Sequence, residues 1–591
     1  MKKIFPIILL VTLPLGSNAG KFNPAGWKTN KNFSLIGSPK AKKGGTLKTF
    51  WSSFPPTLRS EGPNSNLSIL SEMHGLVYES LLGMHPETLK YIPGLADYWK
   101  ISADKRKFWF HINPKARWAD GSPVTAEDVV ETWKFKTRKD IKDPYSYMVW
   151  NNNFYQPVAE SREIVSVRTR RLDWRLFMYF SGMSIFPAKE LKGLTGDKYL
   201  EEYNWKLFMG SGPYELKPEN VKKDQYVIMT RRDNWWGERE KQNIGLYNFD
   251  RIKWTVVMDE ELAFEKFKKG ELDFYVVGKA QRWKEECDFD KVKKGWIQKR
   301  KIYTHSPEGF SGYAFNMRKP PFNDRNVRKA FAHLINRERL INKLFFNEYG
   351  YLDTYFPGWG NAKNPKVRYN PRKASLLLKR AGFKTRNKEG WLTKNGKPFE
   401  ITLEYGHQSW TRIHKVIQED LARAGIKMNL KLLDPRTLIK KIDERAFTIY
   451  FISWGGLLLP NPISMWSSEL ADKSNNTNIT GFKDPRVDKL AAEYNKTFDV
   501  NKRKELLKKI DSLIFRQYPY ALGWYADFTR VLYWNKFGHP KTYFTRIGDS
   551  RSIKYLWWED PGKEGKLEEA MKNNKSLPVG KVIVKPWKDG K

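Results

Sequence analysis

One cysteine, Cys287, stands in 591 residues. A lone thiol excludes an internal disulfide framework and leaves a cysteine-based zinc centre without ligands. A buried small apolar residue is its plain reading. Catalytic signatures are missing as well. The eight histidines never form HExxH, and no GxSxG elbow, GxxxxGK[ST] phosphate loop or calcium loop occurs. No metal, cofactor or catalytic residue is therefore expected, although a triad needs no local signature and a periplasmic peptidase stays open as an alternative. Acidic residues are few beside basic ones, 65 against 106, for a net charge of +41. The basic residues are spread along the chain and broken by acidic clusters such as Asp259-Glu260-Glu261, with no arginine-rich arm, which argues against nucleic acid. A solvated basic surface is the simplest account. Attraction to an anionic envelope, or to an acidic ligand such as a cell-wall peptide, is the alternative.

Long apolar runs are absent after the first twenty residues, and nothing later approaches the ~18 apolar residues needed to span a bilayer. That first stretch reads as a secretory signal: Lys2 and Lys3, an apolar region from Ile4 to Leu15, and the small-residue site Ser17-Asn18-Ala19. Cleavage after Ala19 leaves Gly20 first, and with no cysteine there no lipid anchor is expected. The expectation is a soluble periplasmic chain. What the sequence has in abundance is aromatic residues, 24 Trp, 28 Tyr and 35 Phe, enough for large cores in two or three domains.

The most informative stretch is 76–133. Tyr98 to Ser102 and Lys107 to Asn113 are strand-like runs joined by a charged tip, Ala103-Asp104-Lys105-Arg106, which predicts a hairpin. Asp120-Gly121 marks a turn, after which Thr125, with Asp128 three residues on, predicts a capped helix from Ala126 toward Trp133. Strand and helix patterns alternate elsewhere, suggesting α/β lobes. Strands are predicted at 44–50, 250–257, 271–277 and 447–453, and one over GYAFNM at 312–317. A helix after Asn323-Asp324 carries Val327, Ala330, Phe331 and Leu334 as its buried stripe, with Arg325, Arg328 and Lys329 on its solvated face. His407 and His414 read as surface histidines.

The ordered series VYESLL, PGLA, hairpin and DGSPVTAEDV resembles the family 5 extracellular solute-binding proteins, peptide receptors of ABC importers. YNFDRIKW at 247–254, FEKFKKGELDFY at 264–275, LFFNEYGYLDTYF at 344–356, WSSELADKSNNTNITGFKDPRVD at 466–488 and WWEDP at 557–561 narrow the resemblance to the YejA-like branch. It implies a type II, cluster C-like periplasmic binding protein: two hinged α/β lobes with an additional domain inserted in lobe I. By this resemblance lobe I is built from residues 20–66, 205–305 and 519–591, the additional domain spans 67–204, and lobe II spans 306–518. Implied ligands are peptides or peptide-like compounds, including those of the microcin C type. Implied partners are inner-membrane permease subunits with their ATPase, and the receptor is expected to be a monomer. A peptide-binding signalling or chaperone-like receptor not coupled to import is the alternative.

Dipeptide and oligopeptide receptors of the family place an aspartate three residues beyond a tryptophan to bind the peptide amine. Here Trp454 is followed by Gly455-Gly456-Leu457, so Leu457 stands at that position. An ammonium buried there without a carboxylate would cost several kcal/mol. Ser453, Trp454, Gly455 and Gly456 are the leading ligand contacts, two glycines freeing the backbone and the indole offering an apolar wall. The stretch containing Glu61, Gly62, Pro63 and Asn64 matches a cleft-lining segment of the family. Glu61 is either a receiver of a ligand amine or a plain loop carboxylate. Phe315 and Asn316 end a strand at the expected lobe boundary. Tyr145, Tyr147 and Trp150 of the additional domain reach longer ligands or fill its core. Arg445 pairs with a ligand carboxylate or simply ends a helix.

Overall fold

In the computed structural model, residues 22–587 are described, apart from 360, 361 and 475. The signal sequence expected at 1–19 lies outside the described residues. Among these, no helix is long and apolar enough to cross a membrane.

Two sheets form the first lobe. In one, Thr46–Trp51 runs parallel to Arg251–Val256, which pairs antiparallel with Tyr226–Arg231. In the other, Phe528–Trp534 lies between Phe274–Val276 and Ile297–Tyr303. The second lobe is built around one five-stranded mixed sheet. Its central strand, Phe310–Phe315, is flanked antiparallel by Ile449–Trp454 and Tyr520–Leu522. Glu400–Tyr405 and Lys427–Leu432 extend it in parallel. All six residues of the central strand are buried, as a strand covered on both faces must be. The chain passes between these lobes twice, from Tyr303 to Phe310 and from Tyr525 to Phe528. The second passage comes after Tyr520–Leu522 has joined the second lobe's sheet. The boundary expected at 518/519 therefore falls several residues too early.

The additional domain has its own core between Leu81 and Ile185. Its hairpin, Ala96–Ile101 with Lys107–Ile112, is as the sequence predicts. So is the helix Ala126–Lys136, where Thr125 and Asp128 form the reciprocal capping box, a device worth ~1 kcal/mol. The Asp128 carboxylate also accepts from Ala188 N at 2.7 Å, so the short acidic arm ties the helix start to a second segment. Phe135 of that helix, with Met73 and Tyr199 on the two flanks, instead packs into the first lobe's core.

Three side-chain expectations meet the structure differently. Cys287 is fully buried, as read. His414 is not on the surface: it is buried, bonds the Tyr313 hydroxyl at 3.0 Å, and burial lowers its pKa to about 4. Arg328 is not on a solvated face either. Its guanidinium donates to Phe322 O at 2.7 Å and Gln517 O at 3.0 Å, bracing the end of a distant helix.

Candidate functional site

Where the two passages cross, a cleft of about 410 Å3 opens between the lobes. The first passage contributes Thr304 and Ser306 to Gly309, and the second contributes Tyr525 to Phe528. The second lobe adds Phe310, Ser311, Trp524 and Ser453 to Gly456, the ends of three adjacent strands. Tyr349, Thr529 and Asp549 complete the lining. A larger open depression of about 820 Å3, around Gly358, Glu493 and Lys502 to Lys509, touches the second lobe alone. It encloses nothing between lobes, so the interlobe cleft is the better candidate.

The cleft's charge is opposite to the chain's. In a protein of net charge +41, its lining includes Glu308, Asp527 and Asp549 but no lysine, arginine or histidine. Asp549 is occupied, accepting from the Arg551 guanidinium at 2.6 Å. Glu308 and Asp527 differ. Burial, then the charge of Asp527, push the Glu308 carboxyl up to about 7, and no cation offsets them. The nearby Glu348 makes the contrast. It accepts from Lys301 at 2.7 Å, Arg530 at 2.9 Å and Lys284 at 3.0 Å. Burial acts to raise its pKa, but these three cations hold it at about 2. Glu348 thus pins the second lobe to the first, while Glu308 and Asp527 are left for something else.

The walls are aromatic and fixed. Trp454 Nε1 donates to the Tyr520 hydroxyl at 3.1 Å, which orients the indole. The Ser311 hydroxyl donates to Trp524 O at 2.7 Å and accepts from Trp524 N at 3.2 Å. Gly456 and Gly309 let two backbones meet. A Cβ on Gly456 would stand 2.1 Å from Pro307 O, and one on Gly309 would stand 1.6 Å from Trp454 O. A Cβ on Gly455 meets nothing within 4 Å.

Of the residues predicted from sequence, Ser453, Trp454, Gly455 and Gly456 line this cleft, and Leu457 projects beside it, 56% exposed. The others lie elsewhere. Glu61 is buried and paired with Lys136 of the capped helix, so its carboxylate is already engaged. Gly62 N donates to Asp143 Oδ2 at 2.8 Å, and Pro63 O accepts from Arg59 Nη2 at 3.0 Å. Asn64 adopts φ 63° at the turn that follows. This stretch joins the additional domain to the first lobe. Tyr145 is exposed, Tyr147 accepts from Asn151 Nδ2 at 3.2 Å, and Trp150 stacks on Phe154 at 5.8 Å. Phe315 and Asn316 do end a strand, but the lobe boundary is at its other end. Phe310 pairs with Trp454 and Phe315 with Ile449, which puts Phe315 ~17 Å from the cleft at ~3.3 Å per residue. The Asn316 amide donates to Arg445 O at 3.0 Å and Phe447 O at 2.9 Å. The Arg445 guanidinium in turn donates to three main-chain carbonyls of its own lobe, those of Ile442, Lys473 and Asn476.

Sequence reasoning missed Glu308, Tyr349 and the passage 524–529. None belongs to a local motif; only their position between strands of different sheets brings them together.

A family model described as bacterial extracellular solute-binding proteins, family 5 middle, matches residues 90–477. The chain is 25% identical to a probable peptide-binding protein YejA of Agrobacterium fabrum, covering 89% of this chain and 91% of that one. It is 26% identical to the uncharacterized protein YejA of Escherichia coli, covering 82% and 83%. The solved structure of the oligopeptide-binding protein AppA from Bacillus subtilis, in complex with a nonapeptide, matches with a TM-score of 0.72. That match covers 88% of this chain and 100% of the other at 22% identity, a likeness of fold.

Proposed function

The chain belongs to the bacterial extracellular solute-binding proteins of family 5, and we propose that it captures a peptide or peptide-like compound in the cleft at its two lobe passages. On this reading Ser453, Trp454, Gly455 and Gly456 remain the main contacts of those predicted, joined by Glu308, Phe310, Tyr525 and Asp527. Main-chain groups at the glycine-bearing edge would set the register of an extended ligand, and the aromatic walls would desolvate it. Glu61, paired with Lys136, is assigned to holding the additional domain instead.

The observation that carries the ligand class is the acidic cleft of a basic chain. The main chain of Glu308 lies against Gly456, the residue before Leu457. The family's amine-binding aspartate is missing at Leu457, and Glu308, on the first passage, lines the same cleft as the two glycines before it. A ligand ammonium between Glu308 and Asp527 would relieve their mutual repulsion. The cleft therefore favours a cationic or amine-bearing end over an acidic cell-wall peptide. The name of the Agrobacterium relative and the nonapeptide bound to AppA agree with a peptide.

By family the receptor works outside the cytoplasm. We assign it to the periplasm as a monomer, released from its signal after Ala19, and feeding a permease driven by an ATPase. Its domains would be those expected from sequence, with the last passage moved to 526–527.

Mass spectrometry of compounds released by denaturing the purified protein tests this reading. Intact short peptides or peptide conjugates with a free amine are expected. Recovery of acidic, amine-free compounds, or cleavage of an added peptide library, would contradict it.

A further inference from the structure

Part of the chain's excess positive charge gathers on one face of the second lobe. Two helices there, Arg325–Leu334 and Pro371–Arg380, pack side by side and bury Val327, Ala330, Leu377 and Leu378 in the lobe's core. Asn370 N donates to His333 O at 2.8 Å, so the second helix starts where the first ends and runs back along it. Neither helix contains an acidic residue. Arg325, Lys373 and Arg380 are exposed, and Lys329 is half-buried beside them. Arg325 Nε donates to Arg516 O at 2.5 Å, which brings the exposed Arg516 to the same place.

These cations repel one another without relief. Burial, then the charges of Lys373, Arg325 and Arg380, lower the pKa of Lys329, and no carboxylate opposes them. Asp324, just before the first helix, is spent as its cap and accepts from Asn326 N at 2.7 Å. The lysines around the larger depression of this lobe are different. They are interleaved with Glu493 and Glu505, and Lys508 pairs with Glu505 at 2.6 Å. The two-helix face also carries an apolar side chain, Leu376, which is 59% exposed. Leu376 follows Lys373 by one helical turn and precedes Arg380 by another, the spacing that puts all three on one side of a helix.

We propose that this two-helix face binds the surface of an anionic phospholipid bilayer, its basic side chains meeting lipid phosphates and Leu376 entering the boundary between headgroups and acyl chains. An anionic plane offsets the repulsion among the cations, and each lysine or arginine brought near such a plane adds to the attraction. Two helices lying side by side present ridges, which suit a flat, deformable surface better than a small ligand. The net charge of +41 favours a bilayer over an acidic protein partner, because an extended charged plane attracts the molecule as a whole. With a single apolar side chain to insert, binding is reversible and falls with added salt. The proposal goes beyond the ligand reading and needs no ligand identity.

Co-sedimentation of the full chain with vesicles tests it. At low salt the protein should bind vesicles of phosphatidylglycerol and phosphatidylcholine in equal parts, and not phosphatidylcholine alone. Lys329→Gln with Lys373→Gln and Arg380→Gln should weaken that binding roughly a hundredfold. Lys502→Gln with Lys504→Gln and Lys509→Gln removes the same charge elsewhere on the lobe and should leave most of the binding. Equal losses in the two triple variants would overturn the proposal, since net charge alone would then account for binding. A second measurement covers a variant that misfolds. Leu376→Cys is labelled with a polarity-sensitive dye. Cys287 is buried and burial pushes its thiol up to about 12, so the introduced thiol reacts first. The dye's emission should shift to the blue when the anionic vesicles are added. Unshifted emission, or no binding to these vesicles, overturns the proposal. Retention on polyglutamate through Lys329, Lys373 and Arg380 without vesicle binding would assign the face to an acidic protein partner instead.

Discussion

Gly456 lies against Pro307 so closely that a Cβ on the glycine would stand 2.1 Å from the proline's carbonyl oxygen. One residue follows the end of the strand Ile449–Trp454 of the second lobe, and the other sits in a passage between lobes. Their contact brings the main chain of Glu308 against Gly456, and the passage lines the cleft together with that strand's end.

Gly456→Ala should therefore displace the passage, because the obstacle is backbone and cannot swing aside. A loss of about 1–3 kcal/mol is expected in urea unfolding, with weaker ligand binding. Gly455→Ala meets open space and should stay within ~0.5 kcal/mol of wild type in the same measurement.

Ligand binding should depend on pH through Glu308. Its folded pKa is raised, to about 7, so the folded protein holds a proton there that the unfolded chain releases at lower pH. The stability this group contributes is complete below its ordinary carboxylate value and is lost as pH rises through about 7. An ammonium ligand favours the ionised form, so affinity should rise with pH up to about 7, and binding near pH 6 should release a proton. Calorimetry in buffers of different ionisation enthalpy reads that release. In Glu308→Gln the proton release should vanish.

Glu348 predicts the opposite sign. Its folded pKa is depressed, to about 2, so its contribution is present above the ordinary carboxylate value and is lost as pH falls toward about 2. Glu348→Ala would leave Arg530, only 3% exposed, without its carboxylate. A loss of about 3–5 kcal/mol is expected in chemical unfolding. The variant's stability should also fall less than wild type's between pH 4 and 2.

Glu61→Gln separates a structural carboxylate from a ligand-binding one. It leaves Lys136 buried and unpaired, so stability should fall by ~3–5 kcal/mol. Ligand affinity, measured by titration calorimetry where the variant is folded, should not change.

Local chemistry was legible in the sequence, and convergence was not. The hairpin at 98–113 and the Thr125 cap depend on residues within a few positions of each other, so pattern and turn chemistry reveal them. The family series then carries the fold. The cleft depends on Gly456 meeting Pro307 and on Tyr525 to Phe528 returning beside Thr304, pairs far apart in the chain with no local signal. Two buried side chains were misplaced for a different reason. His414 shares a helical stripe with Ile417 and Leu421, which could have marked it as internal. Arg328 is buried because its donors satisfy carbonyls at both Phe322 and Gln517, and the second of these is visible only in three dimensions.

Hydrogen exchange with and without the compound recovered from the cleft tests the central claim most directly. Added ligand should slow exchange at 304–311, 453–457 and 524–529, both passages together with the strand end between them. Slowing confined to 59–64 and 145–150, with none at the passages, would contradict it.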